Sequence, residues 1–490
     1  MQSLNGKLNS ITESFSFFVP ELILVSALII ILIIGLVNNK RNYVFNFITL
    51  IAAFSSTYFL VTGGLDVNVI LFNGMVHREG FGAFLMILVD AALVLTCLMS
   101  IDHMDRRHIS EYYVLLLSIV LGCHLLLMST NLLMVFLSIE MISLSSYVLV
   151  GYSFNKAGSE GSLKYFLFGS VSSAIMLYGF SIFYGISGTL DFSSQQFFDS
   201  LIDHPSPLLL IAGTMSITGF LFKIAAAPMH PWAPDVYEAA PIPVIAFLSV
   251  APKFAGLGVL TKFLLTIHVF GQSDYNWQLI IAGISMATIT FGNFSALWQQ
   301  NAKRMMAYSS IAQSGFLLVG IAAFLPQGIN FMLFYAAIYL LMNFAVFIYL
   351  AYFESQGIHS IPSFAGSGKQ FISASVGFTV ALVALTGLPP TAGFTAKLFV
   401  FSALWESYEI NHKTLLLWLL VFGLLNTVVS LFFYLRIPYY TFLKSGEPLG
   451  IIKKLSFQNL LGFILVVFIV VMFFIPGLLM GLINRINFVL

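Results

Sequence analysis

The sequence predicts an all-α polytopic membrane protein of about 14 transmembrane helices, with two inverted five-helix repeats and breaks in helices 7 and 12. Three observations point there. Of 490 residues, 59% are hydrophobic and only 8% charged, against about 25% charged in a soluble domain, so this surface cannot be wetted everywhere. Apolar runs of about 20 residues, the length that crosses a ~30 Å hydrocarbon core, recur along most of the chain. Two of the runs are interrupted by proline at corresponding places. The same composition excludes a string of soluble domains, a disordered chain and a disulfide scaffold. Cys97 and Cys123 are the two cysteines, and both lie in apolar stretches where a thiol behaves as a small hydrophobe. A net charge of +1 offers no field for nucleic acid.

Taken in order, runs 19–38, 42–62 and 80–100 form an N-terminal three-helix segment, 1–110. Residues 1–18 lack the basic region and short apolar core of a cleavable signal, so the first run reads as a retained span. Runs 111–129, 131–153, 162–187, 206–228 and 241–268 make the first five-helix repeat, 111–268. Runs 277–297, 304–325, 328–352, 372–409 as two half-helices, and 413–437 make the second, 269–437. Run 457–480 is helix 14, within 438–490.

Positive charge in short loops marks the cytoplasmic side. One set of alternate loops holds Lys40, Arg41, Arg106, Arg107, Lys156, Lys303, Arg304, Lys369, Arg436, Lys444, Lys453 and Lys454. The opposite set, which includes both termini, holds Lys7, Arg78, Lys413 and Arg485. The asymmetry supports the helix count, because an odd miscount would mix the sets, and it places both termini outside.

The remaining basic residues, Lys164, Lys223, Lys253, Lys262 and Lys397, fall within apolar runs, as do Asp90 and Glu140. A charge at bilayer depth costs at least ~2.5–3.5 kcal/mol on insertion scales, so function is sought there. The interruptions read Phe222-Lys223-Ile224-Ala225-Ala226-Ala227-Pro228 and Thr386-Gly387-Leu388-Pro389-Pro390 through Lys397. Proline removes a backbone donor, and unwound backbone at this depth persists only where protein or a hydrated cavity surrounds it. The breaks lie five helices apart. An odd offset inverts the second copy, and paired interrupted segments point to a transport site.

Glu140 and Lys223 are expected to pair and, by opening and closing, to act as a proton valve, since separation removes the counter-ion of the ammonium. Lys253 follows Pro252 in helix 8, and Lys397 has no acid of its own within the broken helix. Lysine changes protonation readily when desolvated, so a lysine and water relay suits this set better than a metal site, which would want carboxylates, imidazoles or thiolates. Static ion pairs and snorkelling are the bland alternatives. Lys164, near the cytoplasmic end of its run, is either an anchor or the neighbour that tunes Glu140. Lys262 is expected to snorkel outward. Asp90, with no evident partner, is expected to be protonated and silent. No dinucleotide, Walker or H-E-x-x-H motif occurs, and neither cysteines nor histidines are spaced for haem or an iron–sulfur cluster. Seven histidines lie in loops or at helix ends, leaving His124 and His268 inside spans. The chain is expected to move something rather than to carry electrons.

Five stretches carry a resemblance: Glu140 to Tyr152, Lys164 to Thr189, Phe222 to Gly256, Asn301 to Gly320, and the TGLPPTAGFTAK segment ending at Lys397. They resemble the subunit-N family of antiporter-like, proton-pumping subunits of bacterial NADH–quinone oxidoreductase (complex I). The resemblance implies a fourteen-helix fold with inverted repeats. It also implies proton-relay roles for Glu140, Lys164, Lys223, Lys253 and Lys397: Glu140 and Lys223 gating, Lys253 linking to the centre, and Lys397 as terminal donor or acceptor. It places NADH, FMN, iron–sulfur clusters and quinone in partner subunits, with no cofactor and no metal in this chain. The other membrane-arm subunits and the bilayer are the implied partners, and the bacterial inner membrane the location, with both termini periplasmic. Gln313 stands where the family usually has histidine, Phe316 replaces a common tyrosine, and Pro231 beside His230 is additional. A relay past Gln313 would then need water or Lys303. Two rival readings are a subunit of a multisubunit cation/proton antiporter and a structural membrane scaffold with static ion pairs.

Overall fold

The computed structural model describes residues 11–37, 42–103, 108–203, 206–269, 276–446 and 457–486. The loop residues Lys7, Lys40, Arg41, Arg106, Arg107, Lys453 and Lys454, and His204, lie outside the described residues.

The described chain is almost wholly helical. The membrane-length helices are α1 (Val19–Val37), α2 (Asn42–Thr62), α3 (Gly80–His103), α4 (Ile109–Met128), α5 (Leu132–Val150), α6 (Lys156–Ser187), α7 (Ser206–Ile224), α8 (Ala251–Val269), α9 (Trp277–Leu297), α10 (Ala302–Ala322) and α11 (Pro326–Ser355). They continue as α12 (Ile372–Thr386), α13 (Ala392–Asn411), α14 (Thr414–Leu443) and α15 (Phe457–Phe474). Short helices over Trp232–Ala239 and Ile242–Leu248 lie between α7 and α8, and a hairpin of β1 (Val69–Leu71) and β2 (Val76–Arg78) joins α2 to α3. Among the described residues, 13 helices are long and apolar enough to cross a membrane, with Ile242–Ile267 taken as one span. The shorter α12 and its continuation α13 supply the divided span expected over 372–409.

Helix ends follow the polar residues that can cap them. Asn155 accepts from the Gly158 amide, which starts α6 at Lys156, six residues before the expected boundary. Asn131 and Asn301 cap α5 and α10 in the same way, through Leu133 and through Lys303 and Arg304. These two asparagines are five spans apart, and each also bridges an extended residue that follows the next helix, Asp191 in one case and Ser360 in the other. The α14 helix runs through Pro438 to Leu443, beyond its expected end at 437.

Packing divides the chain into two compact units. The first comprises described residues within 1–224, 250–277 and 485–490; the second comprises 225–249 and 278–484. In the first, α4 and α8 are the most enclosed helices, and Gly179 of α6 lies so close to α7 that a Cβ would sit 2.6 Å from the Ser216 amide nitrogen. Close backbone approach of this kind is how helices gain contact where lipid offers no hydrophobic drive. In the second, α10 and α11 are enclosed on nearly every side. Outer helices instead present large apolar side chains to the surroundings, including Phe54, Val171, Leu425 and Phe463.

Candidate functional site: buried lysines at two helix breaks

The first break begins where α7 ends at Ile224. Ala225 has φ +55°, the Ala227–Pro228 peptide is cis, and the freed Ala227 amide donates to Thr288 Oγ1 at 3.0 Å. Pro231 takes φ −61° at the N-cap of helix 232–239, so the additional proline starts a helix there. That helix is tied to α10: Arg304 Nη1 lies 2.7 Å from Asp235 and 2.9 Å from Glu238. Asn301 Nδ2 also donates to Glu238.

Lys223 sits in the last turn of α7, where the partial negative end of the helix favours a cation. It is 2% exposed and donates to Ser143 Oγ at 2.7 Å. Ser143 is one turn beyond Glu140 on α5. The closed Glu140–Lys223 ion pair expected from the sequence is therefore not the arrangement found. Glu140 has no ion-pair partner within 4 Å among the described residues, and its Oε1 is buried without a hydrogen bond. It remains within electrostatic range of Lys223. The Ser143 hydroxyl accounts for the difference: it solvates the ammonium in place of the carboxylate. On α8, Gly256 leaves room for this lysine, since a Cβ there would stand 3.2 Å from Lys223 Cβ.

Lys253 is buried near the start of α8, 1% exposed. Lys164 differs: its ammonium lies 2.9 Å from Glu160 one turn earlier, and its side chain is 43% exposed. The structure thus gathers Glu140, Ser143 and Lys223 and leaves Lys164 on a helix face with its own local partner. Lys262 finds a partner at the end of a span, next to the start of α3. It is ion-paired with Glu79 at 2.6 Å, donates to the Leu127 carbonyl at 2.5 Å, and its side chain is 10% exposed. Asp90 is not partnerless either: Ser56 Oγ donates to it at 2.7 Å, and His124 Nε2 lies 3.3 Å away.

At the second break, α12 ends on Gly387 in the left-handed conformation, φ +83°, which glycine tolerates without a Cβ clash. The Pro389–Pro390 peptide is cis, and α13 begins at Ala392. Lys397, one turn into α13, reaches back across the break. Its Nζ donates to the carbonyls of Thr386 at 2.8 Å and Leu385 at 3.2 Å, and it lies 4.3 Å from the centre of the Phe316 ring. The residue that replaces a common tyrosine thus supplies a π face to the cation. A groove of about 450 Å³, lined by Phe394, Lys397, Phe401, Trp405 and Leu424, opens beside it.

Gln313 shares the Leu385 carbonyl with Lys397, donating to it at 3.0 Å and accepting from the Tyr335 hydroxyl. Its amide also reaches Tyr434 at 3.4 Å, and Tyr434 is hydrogen-bonded to Ser309. Gln313 thus ties Tyr335, Tyr434 and the Leu385 carbonyl together, and Lys303 is engaged elsewhere, 2.8 Å from Glu354. On the neighbouring face of α10, Ser310 lies 3.0 Å from both Tyr237 and Tyr339. Tyr339 and Asn343 both reach Ser249. These hydroxyls were not singled out from the sequence. Their signal is a stripe, Tyr335, Tyr339 and Asn343, at the four-residue spacing of one helix face.

Charged and hydroxyl groups in this arrangement can hold a proton on an amine or carboxyl and pass it along hydrogen bonds. They do not fit an iron–sulfur cluster, since Cys97 and Cys123 are two fully buried free thiols where such a cluster takes four thiolates.

Residues 129–429 match the family described as NADH:quinone oxidoreductase/Mrp antiporter, TM. The chain is 37% identical over 461 residues to NADH-quinone oxidoreductase subunit N 2 of Chloroherpeton thalassium, covering 91% of this chain and 88% of that one. Among solved structures, a chain of respiratory complex I from Thermus thermophilus with bound aureothin matches with a TM-score of 0.80 and 25% identity, covering 96% of this chain and all of that one. A chain of the Mrp complex from a Dietzia species matches with a TM-score of 0.81 at 18% identity over 96% of each chain, a likeness of fold.

Proposed function

The chain belongs to the NADH:quinone oxidoreductase/Mrp antiporter membrane family, and we propose that it is the membrane-arm subunit N of a respiratory NADH–quinone oxidoreductase. In this reading it translocates protons while partner subunits, carrying FMN, iron–sulfur clusters and quinone, pass electrons from NADH. It sits in the bacterial inner membrane with both termini on the periplasmic side, as the loop charges suggest.

The observation that carries the reading is Lys223 held by Ser143, with Glu140 one turn away and unpaired. In this state the ammonium has a neutral partner. When Glu140 swings in, the carboxylate stabilises the charged amine; when it swings out, desolvation favours release of the proton. Movement of one carboxylate therefore loads and unloads a proton without any other chemistry. Lys253 would receive it along α8. In the second unit Lys397 would be the terminal group, with water carrying the proton past Gln313 and the Tyr335 and Tyr434 hydroxyls lining the approach. The two five-helix repeats, 111–268 and 269–437, would each contribute one broken helix with its lysine. Lys164, exposed and paired with Glu160, would act as a neighbour rather than as a carrier.

The test is proton pumping in membrane vesicles bearing Lys223→Ala, with assembly checked on native gels and NADH–quinone turnover recorded alongside. Intact assembly with collapse of pumping and coupled turnover supports the reading. Wild-type pumping and turnover would make Lys223 structural and overturn it.

A further inference from the structure

A second buried titratable cluster lies wholly within the first unit, outside the lysine sites. His124 is at the middle of three side chains from three helices. Its Nδ1 lies 3.0 Å from Glu21 Oε1 on α1, and its Nε2 lies 3.3 Å from Asp90 Oδ1 on α3. Glu21 is 1% exposed, and the other two are fully buried. From α2, Ser56 donates to Asp90 Oδ2 at 2.7 Å and Thr57 at 3.3 Å. From the hairpin, Arg78 is within electrostatic range of Glu21 while its guanidinium donates to the carbonyls of Phe17 at 2.6 Å and Phe59 at 3.3 Å. Cys123, next to His124 on α4, is within electrostatic range of both Asp90 and Lys223.

Three polar atoms in this cluster, Glu21 Oε2, Asp90 Oδ1 and His124 Nε2, are buried without an aligned hydrogen bond. A purely structural knot would be expected to satisfy them, because each unsatisfied buried group costs about 1–3 kcal/mol. A single metal ion does not suit the geometry, since the two ring nitrogens face opposite carboxylates and no one point lies within reach of all three groups. Opposite nitrogens facing opposite acids are instead the geometry of a proton bridge.

We infer that Glu21, His124 and Asp90 form a second proton relay, in which the His124 imidazole passes a proton between the two carboxyls. The step balances within the cluster. The Asp90 carboxyl gives its proton to Nε2, the ring gives the proton on Nδ1 to Glu21, and one proton has moved with no other bond changed. After the step the ring carries its proton on Nε2, and the reverse exchange, Glu21 returning a proton to Nδ1 as Nε2 gives one to Asp90, restores the starting tautomer. The link onward, from Asp90 past Cys123 to Lys223, rests on the proposed role of Lys223 as a proton carrier.

The test uses the assembled complex in vesicles, with the variants His124→Gln, Asp90→Asn and, separately, Lys223→Ala. Glutamine keeps hydrogen-bonding capacity at both ends but cannot pass a proton. The expected result is normal assembly of His124→Gln and Asp90→Asn with proton pumping reduced by about a hundredfold, the low end for loss of a positioned proton-transfer group. In the wild type, turnover-induced infrared difference spectra should show deuterium-sensitive carboxylic acid and imidazole bands, the acid band being lost in Asp90→Asn. If His124→Gln pumps and turns over as the wild type does, the relay is overturned. If the variants fail to assemble, absence of those bands from the wild-type spectrum overturns it, and their presence supports it. Loss of pumping in His124→Gln with normal pumping in Lys223→Ala would support the relay while removing its link to Lys223.

Discussion

Lys397 Nζ lies 2.8 Å from the carbonyl oxygen of Thr386, although the entire second break separates the two residues along the chain. The amine therefore closes the end of the half-helix that precedes it, and any loss of its proton changes how that end is held. Charge state and backbone geometry are coupled at this point.

Lys397→Met should assemble with loss of pumping, because it removes the proton-holding group and leaves the Thr386 carbonyl without its donor. The unsatisfied group costs about 1–3 kcal/mol, visible as a lower melting temperature of the purified complex. Retention of wild-type pumping in Lys397→Met vesicles would contradict the terminal role proposed for this lysine.

Gln313→Leu should weaken both pumping and stability, since the Leu385 carbonyl and the Tyr335 hydroxyl each lose a partner. Gln313→His should be much milder, because a neutral imidazole donates from one nitrogen and accepts at the other. Comparing pumping per electron in the two variants checks this order.

The tether between helix 232–239 and α10 runs through Arg304, with Asp235 and Glu238 as its partners. These side chains are part-exposed, so Arg304→Ala is expected to cost only about 1 kcal/mol. The difference from wild type in thermal stability should shrink as salt is raised. A cost unaffected by salt would show that packing, not charge, provides the tether.

His77 on β2 supplies a prediction in pH. Burial depresses the pKa of its imidazole, Glu79 opposes this, and Lys262 reinforces it. The unfolded chain then binds a proton more readily than the folded one. The contribution to stability is complete above the ordinary histidine value near 6.5 and is lost as pH falls below it. The protection of the amides of residues 69–78, taken relative to their intrinsic exchange rates at each pH, should fall on acidification, and His77→Gln should flatten that fall.

The spans and both breaks were legible because hydrophobicity and proline act locally, and the chain has to satisfy a fixed hydrocarbon thickness. Buried lysines were legible because each is costly where it stands. Partners were not. Asp90 and Lys262 looked solitary or outward-facing because Ser56, His124 and Glu79 lie far away in sequence or on other elements, and only packing brings them together. The Glu140–Lys223 ion pair was expected because opposite charges attract. The sequence does not show that the Ser143 hydroxyl, one turn along, is better placed to meet the ammonium. Gln313 looked like a gap in a titratable chain, whereas its two-ended amide is what joins Tyr335 to the Leu385 carbonyl.

The hydroxyl that Ser143 offers to Lys223 also bears on timing. Exposed side chains change rotamer in picoseconds to nanoseconds; Ser143 is buried, but its single hydroxyl sweeps little volume, so its reorientation is far faster than a catalytic cycle with a median turnover of about 10 per second. The local latch can therefore follow, but does not pace, the events around it. The clock for each proton lies in the slower process that displaces Glu140.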